Sequence, residues 1–151
     1  MILRYWKLFK KYPLGKSFFS WCIGFYVPYS GSISAEVLEL ERGYAKLLMR
    51  DRRRLRNHLQ SIHAAALMNF AELTSGMAFI CDLGPEIKAI VTGFQMDYLR
   101  KARGDLIGEC HCTPPATSVE QKLLVEALIR DSKGDIVARG TATWFIRPVP
   151  A

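Results

Sequence analysis

Residues Asn57–Ile80, NHLQSIHAAALMNFAELTSGMAFI, decide the fold, because they have the pattern of a polar loop followed by a long buried helix. From Ile62 to Ile80, small and apolar residues occupy nearly every side of the predicted helix, so no broad face of it suits water. Glu72 brings a charge into this segment, at a large desolvation cost unless it is paired, hydrogen-bonded or protonated. Glu72 is therefore the first functional candidate. The simpler alternative is that it pairs with an arginine or reaches water through a gap.

Helical spacing sorts the polar residues of this segment onto two sides. At about 100° per residue, one stripe contains the polar and small residues Asn69, Glu72, Ser75 and Gly76. His63 precedes Glu72 by nine residues, which places it on the opposite side and about 13 Å away along the axis. A site that uses both His63 and Glu72 must therefore take one of them from another subunit.

The pattern of Asn57, five residues, His63, eight residues and Glu72 is similar to that of hotdog-fold acyl-CoA thioesterases of the 4-hydroxybenzoyl-CoA and phenylacetate-pathway type. The runs PYSGSI (28–33), RDRRRLRNHLQSIHAAAL (50–67) and NFAELTSGMA (69–78) resemble a branch of that superfamily known as a domain of unknown function or as candidate thioesterases. The resemblance covers nearly the whole chain. It implies a coenzyme A thioester as substrate, with no further cofactor and no metal.

The resemblance also implies roles for individual residues. Glu72 takes the place of the catalytic carboxylate, as general base or nucleophile, and Asn57 and His63 take the places of the loop residues. Ala64 stands where the family has a glycine whose backbone N–H polarises the thioester carbonyl, and a helix N-terminus favours such a donor. Gly76 stands where some of these enzymes have Thr or Ser to orient the carboxylate, a role that Ser75 or Thr74 would have to fill.

His63 has a second interpretation, which we favour. At the start of a helix it holds the loop by hydrogen bonding and carries no proton in the reaction. The resemblance implies a homodimer in which the 57–64 loop of one subunit meets Glu72 of the other, with a dimer of dimers as a larger assembly. Asn69, Ser75 and Gly76 are expected to contact the substrate.

The composition suits one α+β domain of 151 residues with a net charge of +7. A basic balance favours acidic partners without distinguishing coenzyme A from nucleic acid or a membrane surface. The run RDRRRLR (50–56) is by default a solvated charged segment. The sharper hypothesis is a cradle for coenzyme A phosphates that includes Arg53, Arg54 and Arg56. No aromatic residue lies among these arginines, which disfavours nucleic acid as the partner.

The four cysteines lack the spacing of a secreted disulfide scaffold, so reduced thiols in the cytoplasm are the simpler interpretation. The triplet Cys110, His111 and Cys112 resembles a fragment of a metal site. On a strand, however, the cysteines face one way and the histidine the other, and no second cysteine pair completes a tetrahedral set. We therefore expect no zinc site there.

Residues 1–29 are predicted to form a helical arm packed on a domain of residues 30–151. Tyr5, Trp6 and Phe9 have helical spacing up to Pro13, and residues 17–25 suit a second short helix. The basic and aromatic character of the arm also suits a membrane surface or an acyl-chain lid, which are the less favoured alternatives. The apolar part is too short and too interrupted to span a bilayer.

Alternating patterns and turn residues predict a hairpin before the central helix and four extended segments after it. This order indicates a hotdog fold, in which a curved antiparallel sheet of about six strands surrounds one helix. Three functional hypotheses follow. They are acyl-CoA thioester hydrolysis, a non-catalytic module that binds acyl-CoA or an acyl carrier, and a basic protein associated with membrane or nucleic acid.

Overall fold

Six antiparallel strands surround one long helix in a computed structural model that describes residues 2–115 and 117–149. The helices are α1 (Ile2–Phe9), α2 (Gly15–Tyr26), α3 (Pro28–Gly31) and α4 (Ala64–Ile80), with a 3-10 turn at Arg53–Leu55. The strands are β1 (Glu36–Glu41), β2 (Tyr44–Met49), β3 (Ile87–Tyr98), β4 (Leu106–His111), β5 (Gln121–Arg130) and β6 (Ile136–Pro148). The predicted hairpin, central helix and four further strands are confirmed.

The sheet has the order β1-β2-β4-β5-β6-β3. Gly43 closes the first hairpin with a φ of 75°, a conformation that glycine adopts without steric cost. The long strand β3 pairs with β6 on one side only, from Ile87 opposite Pro148 to Tyr98 opposite Ala138. Its other side is an edge of the sheet among the described residues. Such an edge presents unpaired backbone groups that suit pairing with another strand.

Helix α4 lies directly on the inner face of the sheet because the sheet has glycines under it. A Cβ added at Gly108 of β4 would come within 2.5 Å of the Thr74 hydroxyl, and one added at Gly140 of β6 within 2.6 Å of the Ala71 methyl. Phe70 and Ala71 of the same helix are fully buried. This close packing fixes the rotation of α4 and therefore determines which of its residues face away from the sheet.

The helix begins two residues later than its apolar pattern predicts. Ile62 is buried, but it forms an isolated bridge with Arg56, and His63 has the extended conformation of an N-cap residue (φ −65°, ψ 141°). An apolar residue stands at position 62 because its side chain packs in the core, although the residue precedes the helix. Ala64 is the first residue of the helix.

The helical arm predicted for the N-terminus is present as α1, α2 and α3. Leu3, Trp6 and Phe19 are buried in the same core as the sheet, and the Leu3 N–H donates to the Cys81 carbonyl at 3.0 Å. The division between residues 29 and 30 stays a prediction. Within the described ranges, no helix combines the length and the apolar character that crossing a membrane would need.

Candidate functional site

Glu72 lies on the side of α4 that faces away from the sheet, and its side chain is half-buried. Its carboxylate makes no hydrogen bond and no ion pair with any residue in 2–115 or 117–149, so the expected alternative of an arginine partner is not found there. Burial raises the pKa of this carboxyl above its ordinary value, because desolvation penalises the charged form. Glu72 therefore has the environment of a group that accepts a proton readily.

The stripe that helical spacing assigns to Glu72 is only partly accessible. Ser75 is fully buried, and its hydroxyl donates to the Glu72 backbone carbonyl at 2.9 Å. Gly76 is also buried, with the Trp144 ring 3.4 Å from the position of an added Cβ. A substrate would reach Ser75 or Gly76 only if these neighbours moved, so their contact with substrate stays a prediction. The open part of α4 runs toward its N-terminus through Met68, which is 42% exposed, and Ala65.

Asn69 lies one turn before Glu72 and is buried against the arm. Its side-chain N–H donates to the Tyr29 carbonyl at 3.0 Å, at the start of α3. The Asn69 Oδ1 is buried and has no hydrogen-bond partner among the described residues. A buried acceptor without a partner carries a free-energy cost. Asn69 therefore brings a fully buried, unused acceptor to the predicted stripe, beside the half-buried Glu72 carboxylate.

The N-terminus of α4 offers an unused backbone donor. The His63 Nδ1 accepts a hydrogen bond from the Ala65 N–H at 3.1 Å, so the histidine caps the helix. The Ala66 and Leu67 N–H groups donate to the His63 carbonyl. The Ala64 N–H has no acceptor in the described part of the chain, and Ala64 is exposed. The helix dipole adds to the affinity of this donor for developing negative charge.

Asn57 organises the loop that leads to the helix. Its Oδ1 accepts hydrogen bonds from the Leu59 N–H (2.9 Å), the Ser61 N–H (3.3 Å) and the Ser61 hydroxyl (3.2 Å). With the acceptor used in this way, the Asn57 side-chain N–H groups remain for a ligand or water. The fold thus gives Asn57 a structural role that coexists with the predicted catalytic one.

Two shallow grooves flank the start of α4. One has a volume of about 360 Å³ and includes Asn57, Ala64 and Tyr98 in its lining. The other, of about 190 Å³, includes Arg54, His63 and Asn69. The two grooves bring most of the predicted loop and helix residues to one end of the helix, whereas Glu72 lies eight residues beyond Ala64, about 12 Å along the axis.

The three predicted phosphate ligands differ in their present contacts. The Arg56 guanidinium forms a two-point ion pair with Asp51, at 2.7 and 3.0 Å, which lowers the pKa of that carboxyl. Arg54 donates to the Ser34 hydroxyl at 2.6 Å. Arg53 is exposed and has no side-chain hydrogen bond or ion pair among the described residues. Arg53 and Arg54 are therefore the two that suit a phosphate.

The triplet Cys110, His111 and Cys112 lies at the end of β4 and in the turn that follows. Cys110 is buried while His111 is exposed, in the alternation expected of a strand. The hydrogen bond with the Cys112 thiol, together with burial, raises the pKa of the Cys110 thiol. Among residues 2–115 and 117–149, no group of three His, Cys, Asp or Glu side chains is placed to hold a metal ion.

Two residues of the site could not be identified from sequence. The Tyr98 hydroxyl donates to the Ala64 carbonyl at 3.2 Å and ties the end of β3 to the start of α4. The Tyr29 carbonyl holds Asn69. Tyr98 has no sequence signal apart from its position in a predicted strand, and Tyr29 belongs to the PYSGSI run but acts through its backbone. Both contacts depend on tertiary structure.

The raised pKa of Glu72 predicts how the difference in stability between the unchanged protein and Glu72→Gln varies with pH. Below the ordinary pKa of 4.5, the carboxyl is protonated in the folded and unfolded chains alike, so the two proteins should unfold at similar temperatures. As the pH rises through the raised pKa of the folded state, the native protein loses stability, because ionisation is easier in the unfolded chain. The glutamine variant should therefore be relatively more stable at neutral pH. Thermal unfolding of both proteins across this range tests the sign, and an equal difference at every pH would contradict it.

Comparison with known families and structures supports the fold. Residues 15–146 match the family described as Domain of unknown function (DUF4442). The protein crystallised as genomics APC5556 is 30% identical, with 87% of this chain and 88% of that chain covered and a TM-score of 0.79. The comparison with curated proteins found no match.

Two further solved structures share the architecture. A Pseudomonas aeruginosa protein of unknown function, named as a candidate thioesterase, is 22% identical with a TM-score of 0.77, over 91% of this chain and 97% of that one. A mutant thioesterase enzyme from Staphylococcus aureus Mu50 is 11% identical with a TM-score of 0.71, over 80% and 99%. The prediction of a thioesterase-like hotdog fold is confirmed.

Proposed function

This chain belongs to the DUF4442 family, and from that premise we propose that it hydrolyses acyl-CoA thioesters. The observation that carries the proposal is the half-buried Glu72 carboxylate on the central helix, which has no hydrogen-bond or ion-pair partner among the described residues. Two proteins of similar structure are named as thioesterases, which supports the same reaction class. In this proposal the protein is an enzyme that needs no cofactor, since coenzyme A is part of its substrate.

In the proposed reaction, Glu72 takes a proton from water as the water oxygen attacks the thioester carbonyl carbon. Alternatively, the Glu72 carboxylate attacks that carbon itself, and water then hydrolyses the resulting anhydride. In both routes the carbon–sulfur bond breaks, and the products are a carboxylic acid and the coenzyme A thiol. The Ala64 N–H stabilises the oxyanion on the carbonyl oxygen. Asn57 orients the carbonyl or the water through its free side-chain N–H groups.

The distance between Glu72 and Ala64 within one helix requires a composite site. Glu72 lies eight positions after Ala64, so the two groups of one chain are about 12 Å apart along the axis, too far to act on one carbonyl. We propose a homodimer in which the α4 N-terminus of one subunit meets Glu72 of the other. The edge of β3 that has no partner strand in the described part of the chain suits the contact, and the Tyr98 hydroxyl at its end donates to the Ala64 carbonyl. A dimer of dimers is the proposed larger assembly, in the cytoplasm.

A second candidate is a module that binds acyl-CoA or an acyl carrier without hydrolysis. It is favoured by the absence of a hydroxyl able to orient the Glu72 carboxylate among the described residues. Gly76 offers none, and the Ser75 hydroxyl is bound to the helix backbone. The two candidates differ in turnover and not in binding.

A panel of acyl-CoA thioesters of different chain length tests the proposal. Free coenzyme A should be measured by chromatography, because the partly exposed Cys22 and Cys112 would react with a thiol reagent. Release well above the uncatalysed rate for at least one acyl group supports the hydrolase. Binding by calorimetry with no release at any chain length would replace the hydrolase with the binding module.

The proposed phosphate cradle makes a separate prediction. The double change Arg53→Gln and Arg54→Gln should raise KM for acyl-CoA by about tenfold, through the loss of charge-assisted contacts with the coenzyme A phosphates. An acyl-N-acetylcysteamine thioester lacks phosphates. For this substrate the variant and the unchanged protein should have the same KM. An equal effect on both substrates would mean that the arginines act through folding or the active site and not through phosphate.

A further inference from the structure

We propose that the N-terminal helices dock the protein on an anionic lipid surface, through an exposed row of aromatic side chains on α2. We call Phe18, Trp21 and Phe25 the aromatic ridge. The inference concerns a face that the proposed reaction does not use, and it does not depend on the hydrolase proposal.

The aromatic ridge is an apolar surface on the outside of a helix that is already packed on its other side. Gly15 and Phe19 of α2 are buried, whereas Phe18, Trp21 and Phe25 are 49%, 63% and 77% exposed. Their spacing of three and four residues places them on one stripe. Apolar side chains grouped in this way on a surface mark a binding site for a protein or a membrane.

A large apolar groove borders the aromatic ridge. It has a volume of about 780 Å³, and Trp21 and Phe25 line it together with side chains from α1 and from the segment between α4 and β3. Leu83 belongs to that segment, and Ile80 at the end of α4 and Ile87 at the start of β3 also line the groove. A helix bound at a bilayer surface inserts its apolar face to about the depth of the headgroup and acyl boundary. The ridge and groove together provide such a face.

The net charge of residues 2–35, which include the aromatic ridge, selects an anionic surface. Residues 2–35 contain five basic residues and no Asp or Glu, and they supply five of the seven net positive charges. Lys16 is engaged with the domain, since its Nζ donates to the Leu38 carbonyl at 2.8 Å. Arg4, Lys7, Lys10 and Lys11 are exposed. Basic residues beside an apolar face are the arrangement that binds anionic lipids.

The turn between α1 and α2 extends this surface. Lys10 and Lys11 are followed by Tyr12 and Leu14, which are 63% and 83% exposed. Leu14 has a φ of 60°, a left-handed conformation that is unusual for a leucine. The turn therefore holds two large apolar side chains in solvent directly beside two lysines.

Other occupants suit the ridge less well. Two copies of the arm placed face to face would bring mainly basic residues against basic residues, and the Glu36 carboxylate, which accepts from the Ser17 hydroxyl at 2.9 Å, offsets only part of that repulsion. Nucleic-acid bases stack on free aromatic faces. Here the rings stack on one another, with centroids 6.0 Å apart for Phe18 and Trp21 and 5.8 Å for Trp21 and Phe25.

Vesicle binding of the whole chain tests the proposal. Vesicles of phosphatidylcholine alone are compared with vesicles containing about one-third phosphatidylserine, in low and high salt. We expect sedimentation with the anionic vesicles only, lost at high salt. Trp6 and Trp144 are 2% and 5% exposed, so a blue shift of tryptophan fluorescence on binding should report mainly on Trp21.

Variants locate the contact. Trp21→Ser with Phe25→Ser, and separately Lys10→Gln with Lys11→Gln, should each weaken vesicle binding at least tenfold. Leu124→Ser is the matched control, because Leu124 is 73% exposed but lies on β5. It should bind vesicles as the unchanged chain does. Circular dichroism checks that all variants fold.

Three results would overturn the proposal. The first is no difference between neutral and anionic vesicles. The second is a blue shift that depends on protein concentration without lipid, which would mean that a second copy covers the ridge. The third is displacement from vesicles by an uncharged acyl thioester but not by salt, which would assign the face to substrate.

Discussion

Replacing Glu72 by Gln is expected to lower kcat for acyl-CoA hydrolysis by about 10²–10⁴-fold, the usual contribution of a positioned general acid or base. Glutamine has nearly the same shape but cannot accept a proton or attack a carbonyl carbon. The fold should be unaffected, because the carboxylate makes no hydrogen bond or ion pair with the described residues. Binding of the substrate should therefore change little. Steady-state kinetics with measured coenzyme A release separates kcat from KM.

The pH profile makes this prediction sharper. Because burial raises the pKa of Glu72, activity of the unchanged protein should rise with pH as that carboxyl loses its proton, and any residual activity of the glutamine variant should lack the step. Glu120→Gln is the control, since Glu120 is an exposed carboxylate outside the helices and strands. Equal slow release by the unchanged protein and by Glu72→Gln would remove Glu72 from the chemistry.

Replacing Ala64 by Pro is expected to lower kcat by about 10²–10³-fold, because it removes one backbone donor of the proposed oxyanion site. The change is structurally mild. Ala64 is the first residue of α4, where proline is well tolerated, and its N–H has no acceptor among the described residues. His63 already has the extended conformation that a residue before proline requires.

Ala64→Gly is the matched control for the proline variant. It keeps the backbone N–H and restores the residue that the resembled enzymes have at this position. We expect its activity to be at least that of the unchanged protein, since the missing methyl gives the thioester more room. Full activity of Ala64→Pro, with a folded structure by circular dichroism, would mean that the oxyanion is stabilised elsewhere.

The order of the elements could be predicted because each one carries its own local signal. The run from Ile62 to Ile80 is too apolar and too long for a strand, and glycine or proline separates the extended segments. The start of α4 was predicted two residues early for a local reason. Histidine is not among the favoured N-cap residues, so nothing in the sequence distinguishes His63 from the first turn of a helix.

The surroundings of the site residues could not be predicted, because they depend on segments far apart in the chain. Helical spacing places Ser75 and Gly76 beside Glu72, but it does not reveal that Trp144 covers Gly76. Similarly, the arginine run does not indicate that Arg56 is bound to Asp51. Burial on a helix face is decided by the sheet that curves around it, and the one-dimensional pattern contains no measure of that curvature.

The family match and the similar solved structures show the fold of this chain. Its activity has to be tested at the candidate site. The Glu72 carboxylate, the Ala64 N–H and the Asn57 side chain lie on or beside one helix, and in the proposed homodimer the first of them acts with the other two from the second subunit. The proposed reaction therefore depends on dimer formation as much as on any residue.

Mixing two inactive variants tests the composite site most directly. Glu72→Gln and Ala64→Pro subunits, unfolded together in equal amounts and refolded, should form mixed dimers in which one site has both defects and the other has neither. With random pairing, about one quarter of the unchanged activity should return. If Glu72 and Ala64 of the same chain formed the site, every site in the mixture would still carry a defect. The mixture would then remain as inactive as the separate variants.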